Sequence, residues 1–271
     1  MDQLIPDIYI QTDYPNDTGT NWVVIGASVQ GSGHLRQGLV CQDTHAHQII
    51  NSARMIAVVA DGLGSAEQSD LGSRLAVATA VKFLREHLIG SVPQDEQSWI
   101  NMMRSCFLAA RGRLEEEAAL RQSALREFAT TLIAVVLDDD WLVCAHIGDG
   151  AVVASLQDGA LELVSAPQNE EYVNVTLPLT MPDMENSAQF TAWKTDFSAI
   201  ALMTDGVQHV SIRSADLQPH APFFEPLFRQ LPGVKDAFKA SRNLADFWAS
   251  AQICAKTDDD KTLVLIGKRR A

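Results

Sequence analysis

The sequence predicts an α+β fold in which antiparallel sheets pack between helices. Three observations carry this: strand signals come first, two long amphipathic stretches follow, and a meander of apolar runs broken by turn residues occupies the middle of the chain. No repeat, low-complexity tract or Pro/Gly/Ser-rich linker divides the 271 residues. Residues 21–271 therefore read as one domain behind a polar N-terminal segment, residues 1–20.

Trp22 to Val29 is rich in β-formers, and Met55 to Ala60 is a continuous apolar run that stops at Asp61-Gly62. Between Ser69 and Leu88, Val77, Val81, Leu84 and Leu88 recur at helical spacing, and Trp99, Met103, Cys106 and Ala110 repeat it. Glu115-Glu116-Glu117, among Arg111, Arg113 and Arg121, is expected on a solvated helix face. The meander then runs Leu132–Leu137, Trp141–Ile147, Val152–Leu156 and Leu161–Val164, with turns at Asp138-Asp139-Asp140 and Gln157-Asp158-Gly159. Its first two runs are apolar at nearly every position, as in strands covered on both faces. Residues 165–195, with Pro167, Pro178 and Pro182, are expected to be irregular and functional. A strand from Ser198 to Thr204, a helix with Leu244, Trp248 and Ala251 on one face, and a strand over Thr262–Ile266 complete the order.

Composition narrows the function. Asp and Glu number 34 against 21 Lys and Arg, a formal balance of −13, and the one basic cluster, Lys268-Arg269-Arg270, closes the chain. Nucleic acid and anionic membrane surfaces are thus excluded as general partners. Cys41, Cys106, Cys144 and Cys254 form no C-x-x-C pair, which argues against a disulfide framework or zinc site. The start of the chain lacks a secretory signal and no apolar run could span a bilayer, so a cytoplasmic protein is expected.

The informative feature is a recurrence at strand ends. Ala57-Val-Val-Ala-Asp61-Gly62, Ala145-His-Ile-Gly-Asp149-Gly150 and Ala201-Leu-Met-Thr-Asp205-Gly206 finish alike, an Asp258-Asp259-Asp260 run precedes the last strand, and Asp43 follows a Gly-rich stretch. Each Asp-Gly step alone reads as a turn. If the ends converge, however, carboxylates roughly 4–5 Å apart repel by about 3–4 kcal/mol per pair at an effective dielectric near 20. Basic side chains, protonation or divalent cations must then compensate, and no Lys or Arg adjoins any of the three steps. Oxygen-only ligands favour Mg²⁺ or Mn²⁺, and a pair of such ions suits phosphoester hydrolysis.

The order Gln42-Asp43, Val58-Val-Ala-Asp61-Gly62-Leu-Gly64, Thr130-Thr131, His146-Ile-Gly-Asp149-Gly150, Leu202-Met-Thr-Asp205-Gly206 and Asp259-Asp260-Lys-Thr262 resembles the metal-dependent protein phosphatases, the type 2C Ser/Thr phosphatases, in their short bacterial form. The resemblance spans residues 26 to 267 and implies an antiparallel β-sandwich flanked by helices in four αββα layers. It implies Mn²⁺ or Mg²⁺ as cofactor, two ions and a third more weakly bound. By position, Asp61 bridges two ions, the Gly62 carbonyl serves the second, Asp205 and Asp259 hold the first, and Asp43 organises water. Asp149 matches the ligand of the third ion, and residues 165–195 fall at the family's variable flap.

Departures matter too. Gln42 stands where the family carries Glu, which removes one anionic ligand, and Leu63 stands where some relatives place a His proposed as general acid. The phosphate-binding Arg is expected at position 38, which is Gly, so Arg36 or His34 becomes the candidate. Asp260 replaces the usual Asn and either adds charge near the metals or faces solvent, while Gly31 and Gly33 read as a plain loop, with N–H groups offered to phosphate as the alternative. His146 is expected to be a packed, hydrogen-bonded histidine. The resulting expectation is a monomeric Ser/Thr protein phosphatase acting on phosphoproteins, with a cognate kinase as a further partner. The alternative readings are a catalytically weak or inactive regulatory module of this fold, or hydrolysis of a small-molecule phosphate.

Overall fold

Strands with apolar side chains on both faces need two cores, and the fold supplies them. A computed structural model describes residues 21–168, 176–213 and 215–269; the N-terminal segment 1–20 lies outside them. The chain runs β1 (Trp22–Val29), α1 (Ser32–Gln37), β2 (Asp43–Ile49), β3 (Arg54–Asp61), α2 (Ser69–Leu88) and α3 (Glu96–Arg121). It continues through β4 (Leu132–Asp138), β5 (Trp141–Ile147), β6 (Ala151–Leu156), β7 (Leu161–Ser165), α4 (Met184–Ser187), β8 (Gln189–Lys194) and β9 (Phe197–Met203). Then follow α5 (Asp205–Ser211), β10 (Ile212–Arg213), β11 (Gln218–Pro219), α6 (Ala221–Gln230), α7 (Ala237–Trp248), α8 (Ala251–Cys254) and β12 (Lys261–Lys268).

Two antiparallel five-stranded sheets result, in the orders β1-β12-β9-β6-β7 and β2-β3-β4-β5-β8. Along β3, Met55, Ala57 and Val59 enter the core between the sheets, while Ile56, Val58 and Ala60 meet α2 and α3 through Leu84, Phe107 and their neighbours. Leu132–Leu137 of β4 divides the same way. On the other sheet, Val264 and Ile266 face inward, whereas Leu263 and Leu265 pack outward on Phe224, Leu244 and Trp248 of α6 and α7. The layers are therefore helix, sheet, sheet, helix, as the resemblance implies.

Several local expectations change. Gly31 and Gly33 do not form a loop: α1 begins at Ser32 and is closed by Gly38 in the left-handed region, whose N–H bonds back to His34 and Leu35. Residues 165–195 are not irregular throughout, because Gln189–Lys194 pairs with β5 as an edge strand. Its alternation is short: Ala192 is buried and Phe190 meets Phe107 edge-on at 5.7 Å. Glu117 does not face solvent; it is 6% exposed and bonds Arg113 at 2.7 Å and Arg121 at 2.6 Å, one turn to either side. Ala251 opens the separate α8 rather than extending the helix of Leu244 and Trp248.

Candidate active site

Sheet topology brings the strand-ending carboxylates to one end of the sandwich. Asp43 at the start of β2 stands opposite Asp61 at the end of β3. β3 and β5 both run antiparallel to β4, so their C-terminal ends coincide, and Asp149 follows β5 across Gly148, which turns the chain at φ 120°. In the other sheet Met203, the last residue of β9, pairs with Leu263 near the start of β12 and with Ala151 at the start of β6. Asp205 follows as the first residue of α5. Carboxylate oxygens of Asp61, Asp149 and Asp205 consequently lie within 4.8 Å of one another.

Backbone and hydroxyl contacts hold these groups while leaving oxygens free. The Asp61 N–H donates to Thr131 Oγ1 at 2.9 Å, and its carbonyl accepts from Thr131 N–H at 2.8 Å and Thr130 Oγ1 at 2.9 Å. Gly62 is required at the next position, since a Cβ there would stand 2.6 Å from the Ser69 carbonyl oxygen. Asp43 Oδ2 accepts from Thr204 Oγ1 at 2.8 Å, and Asp149 Oδ2 accepts from Thr176 Oγ1. Asp43 Oδ1, Asp149 Oδ1, Asp205 Oδ1 and Gln42 Oε1 are buried without a hydrogen-bond partner. Such groups cost about 1–3 kcal/mol each when left unsatisfied, so each of the four calls for a partner.

Charge points the same way. Burial, reinforced by the neighbouring carboxylates, pushes Asp61 well above the ordinary carboxylate range in the absence of a cation. Burial likewise lifts Asp43 and Asp205 to about 7 and raises Asp149. Fully ionised, each pair within 4.8 Å would repel by about 3 kcal/mol. Among the described residues no Lys, Arg or His forms an ion pair with Asp43, Asp61, Asp149 or Asp205. Of the three compensations, basic side chains are eliminated, which leaves protons or divalent cations. An all-oxygen donor set fits Mg²⁺ or Mn²⁺.

The remaining candidates are placed differently. Asp259 is exposed and outside the three-carboxylate cluster, although its charge contributes to raising Asp61, Asp149 and Asp205. Asp260 does not face solvent: its Oδ1 accepts from Gly31 N–H and its Oδ2 from Gln42 N–H, both at 2.6 Å. Its Oδ2 also lies 2.9 Å from His34 Nδ1. The Gly33 N–H bonds the Asp258 carbonyl at 2.7 Å, so the Gly31 and Gly33 amides are committed within the fold rather than available to phosphate. Arg36 is exposed and paired with Asp258 at 2.9 Å. His146 is the packed histidine expected, fully buried with Nδ1 2.6 Å from Ser165 Oγ and its pKa lowered by burial to about 3. Thr204, Thr176 and the buried Lys261, whose Nζ donates to the Asp259 carbonyl at 2.7 Å, carry no sequence pattern that singles them out.

A family profile described as protein phosphatase 2C matches residues 30–249. The chain belongs to the protein phosphatase 2C family. It is also 32% identical over 252 residues to serine/threonine-protein phosphatase 3 of Escherichia coli (strain K12), across 90% of this chain and 98% of that protein. Two solved structures share the fold. PppA, a regulatory component of the T6SS in Pseudomonas aeruginosa, is 17% identical with a TM-score of 0.60, covering 92% of this chain and 98% of that one. The catalytic domain of the serine/threonine protein phosphatase PstP, solved with two manganese ions, is 16% identical with a TM-score of 0.59, covering 92% and 100%. In this family member no helix among the described residues is long and apolar enough to cross a membrane.

Proposed function

We propose that this protein phosphatase 2C member removes phosphate from phosphoserine and phosphothreonine side chains of proteins, with Mn²⁺ or Mg²⁺ held at the end of the sandwich. The observation that carries this reading is the set Asp61, Asp149 and Asp205, whose oxygens meet within 4.8 Å with no basic partner. Asp61, the Gly62 carbonyl, Asp205 and Asp259 are the groups that would hold such ions. Gln42 would offer a neutral oxygen to the second ion, and Asp149 would hold a third, more weakly bound one. Divalent cations held there would offset the carboxylate repulsion, lower the pKa of bound water and polarise a phosphoryl oxygen.

The chain's own groups then do the positioning. Asp43, tied through Oδ2 to Thr204, keeps Oδ1 free to accept a proton from the attacking water. Asp260 fastens Gly31 of the α1 entrance and Gln42 to the β12 entrance, which holds the two sides of the cleft together. Arg36 and His34 stand on that same segment and are the side chains offered to the substrate phosphate or its flanking residues. A protein kinase is the class of enzyme that would supply such a substrate. The protein is expected to act as a cytoplasmic monomer.

The purified protein should hydrolyse phosphoserine and phosphothreonine peptides with Mn²⁺ and lose that activity in EDTA. Full activity in EDTA overturns the reading, and a strong preference for small phosphate esters over peptides would move the substrate class. Gln42 gives a graded test. Its unpartnered Oε1 is a neutral oxygen where the family has a carboxylate, so Gln42→Glu should lower the Mn²⁺ concentration for half activity by about 3- to 10-fold, as expected for one more charged contact of about 1 kcal/mol. An unchanged titration midpoint would remove Gln42 from the site.

A further inference from the structure

Large apolar side chains held in water on a rigid segment call for a partner, and one such group borders the carboxylate cleft. Leu35 is 68% exposed, Leu39 41% and Val40 56%. No other stretch of six described residues carries more than one exposed large apolar side chain. The backbone that presents them is fixed. α1 closes in a complete Schellman turn, in which the Leu39 N–H donates to the His34 carbonyl at 3.0 Å and the Gly38 N–H to the Leu35 carbonyl at 3.2 Å. The residues one turn before Leu39, Gly33 and His34, offer it no apolar partner, and the Gln30 side-chain amide donates to its carbonyl. Both ends of the segment are pinned to the cleft through one oxygen. Asp260 Oδ2 lies 2.9 Å from His34 Nδ1, one residue before Leu35, and accepts at 2.6 Å from the N–H of Gln42, two residues after Val40. Consecutive Cα atoms are 3.8 Å apart, so Val40 stands within about 8 Å of Gln42.

We propose that Leu35, Leu39 and Val40 form a specificity surface that receives large aliphatic side chains flanking the phosphorylated residue of a protein substrate. This rests on the phosphatase reading given above. A phosphoserine whose phosphate enters the cleft carries its neighbours outward at about 3.3 Å per residue, which brings residues two to four places away onto this rim. Acidic flanks find little here. Arg36, the one Lys or Arg from Trp22 to Ala53, is already paired with Asp258 at 2.9 Å, in a chain of formal charge −13. A second copy of the chain is the poorer occupant, because three side chains fall far short of the roughly 800 Å² per partner that a stable complex buries. Rigid presentation suits the role: no loop has to be ordered when the peptide docks.

Two phosphoserine peptides of equal length and charge, one with leucines at the flanking positions and one with serines there, test it on the full-length protein with Mn²⁺. In wild type kcat/KM should favour the leucine peptide by about 10-fold, carried by KM. The ratio should fall to about one in the double variant Leu35→Ser, Val40→Ser. Leu35→Met, which stays apolar, should keep the preference, and so should Leu120→Ser, which removes an exposed leucine from α3. If the double variant does not fold, Leu35→Ser alone must weaken the preference at least about 3-fold. Equal kcat/KM for both peptides in wild type overturns the proposal and leaves the phosphatase reading standing. A preference undiminished in the folded double variant, or lost equally in Leu120→Ser, also overturns it, as does a wild-type dimer that Leu35→Ser dissolves in sedimentation, which would assign the patch to a second copy. Hydrolysis of p-nitrophenyl phosphate but of neither peptide refutes the protein-substrate reading, and this proposal with it.

Discussion

Asp61→Asn is expected to abolish turnover, lowering kcat for a phosphopeptide by at least about 10³-fold, while the protein remains folded. The barrier change behind this is about 4 kcal/mol, the scale of charge stabilisation that a divalent ion supplies. Asp61 is the carboxylate whose proton affinity is raised by all four of its neighbours, Asp43, Asp149, Asp205 and Asp259, which places it at the electrostatic centre of the site. Its backbone is locked by Thr130 and Thr131, so an isosteric amide leaves the strand end intact and changes only charge. Removing that charge relieves repulsion in the metal-free protein, so Asp61→Asn should melt no lower than wild type without metal. Activity within 10-fold of wild type would contradict the reading.

Gly206→Ala is the second large effect, and it acts through backbone. A Cβ at this position would stand 1.8 Å from the carbonyl oxygen of Asp260, far inside contact distance. Either the first turn of α5, which carries Asp205, or the Asp258–Asp260 turn must retreat by more than 1 Å. Overpacking of this kind costs about 1–3 kcal/mol of stability, and a misplacement of that size at a reacting centre costs about 10²-fold in rate. Both losses are expected together, in a denaturation curve and in kcat. Gly112→Ala is the control, because a Cβ there meets nothing within 4 Å. It should leave activity unchanged, and wild-type kcat in Gly206→Ala would show that this close approach does not matter.

What the sequence reveals follows from where the information lies. Double-sided strands are legible because each apolar residue of Met55–Ala60 and Leu132–Leu137 has its own core to enter. The helices from Ser69 and around Trp99 are legible because their buried stripe is long. Convergence of Asp61, Asp149 and Asp205 is legible only as a recurrence, since distance between strand ends is set by sheet order. The edge strand Gln189–Lys194 escapes because its alternation lasts six residues after a Pro-rich stretch. Asp260 escapes because Asp258, Asp259 and Asp260 are chemically identical in the sequence. Only the tertiary approach of the Gly31 and Gln42 amides separates the buried clamp from its exposed neighbours. Glu117 escapes because a charge run normally faces water, and here two arginines one turn away allow one member to be buried.

On the proposed function, divalent cations rather than protons neutralise the buried carboxylates at working pH. Since Asp43 and Asp205 are lifted to about 7 and Asp61 is raised as well, part of the cluster is protonated near pH 6.5 without metal, and a cation must displace those protons. The displacement should weaken as pH rises past 8, where Asp43 and Asp205 have lost their protons. Calorimetric titration of the full chain with Mn²⁺ in two buffers of different ionisation enthalpy measures it directly. Binding should release about one proton or more at pH 6.5, fewer at pH 8.5, and should be lost in Asp61→Asn. Buffer-independent heats at pH 6.5, or Mn²⁺ binding undiminished in Asp61→Asn, would contradict it.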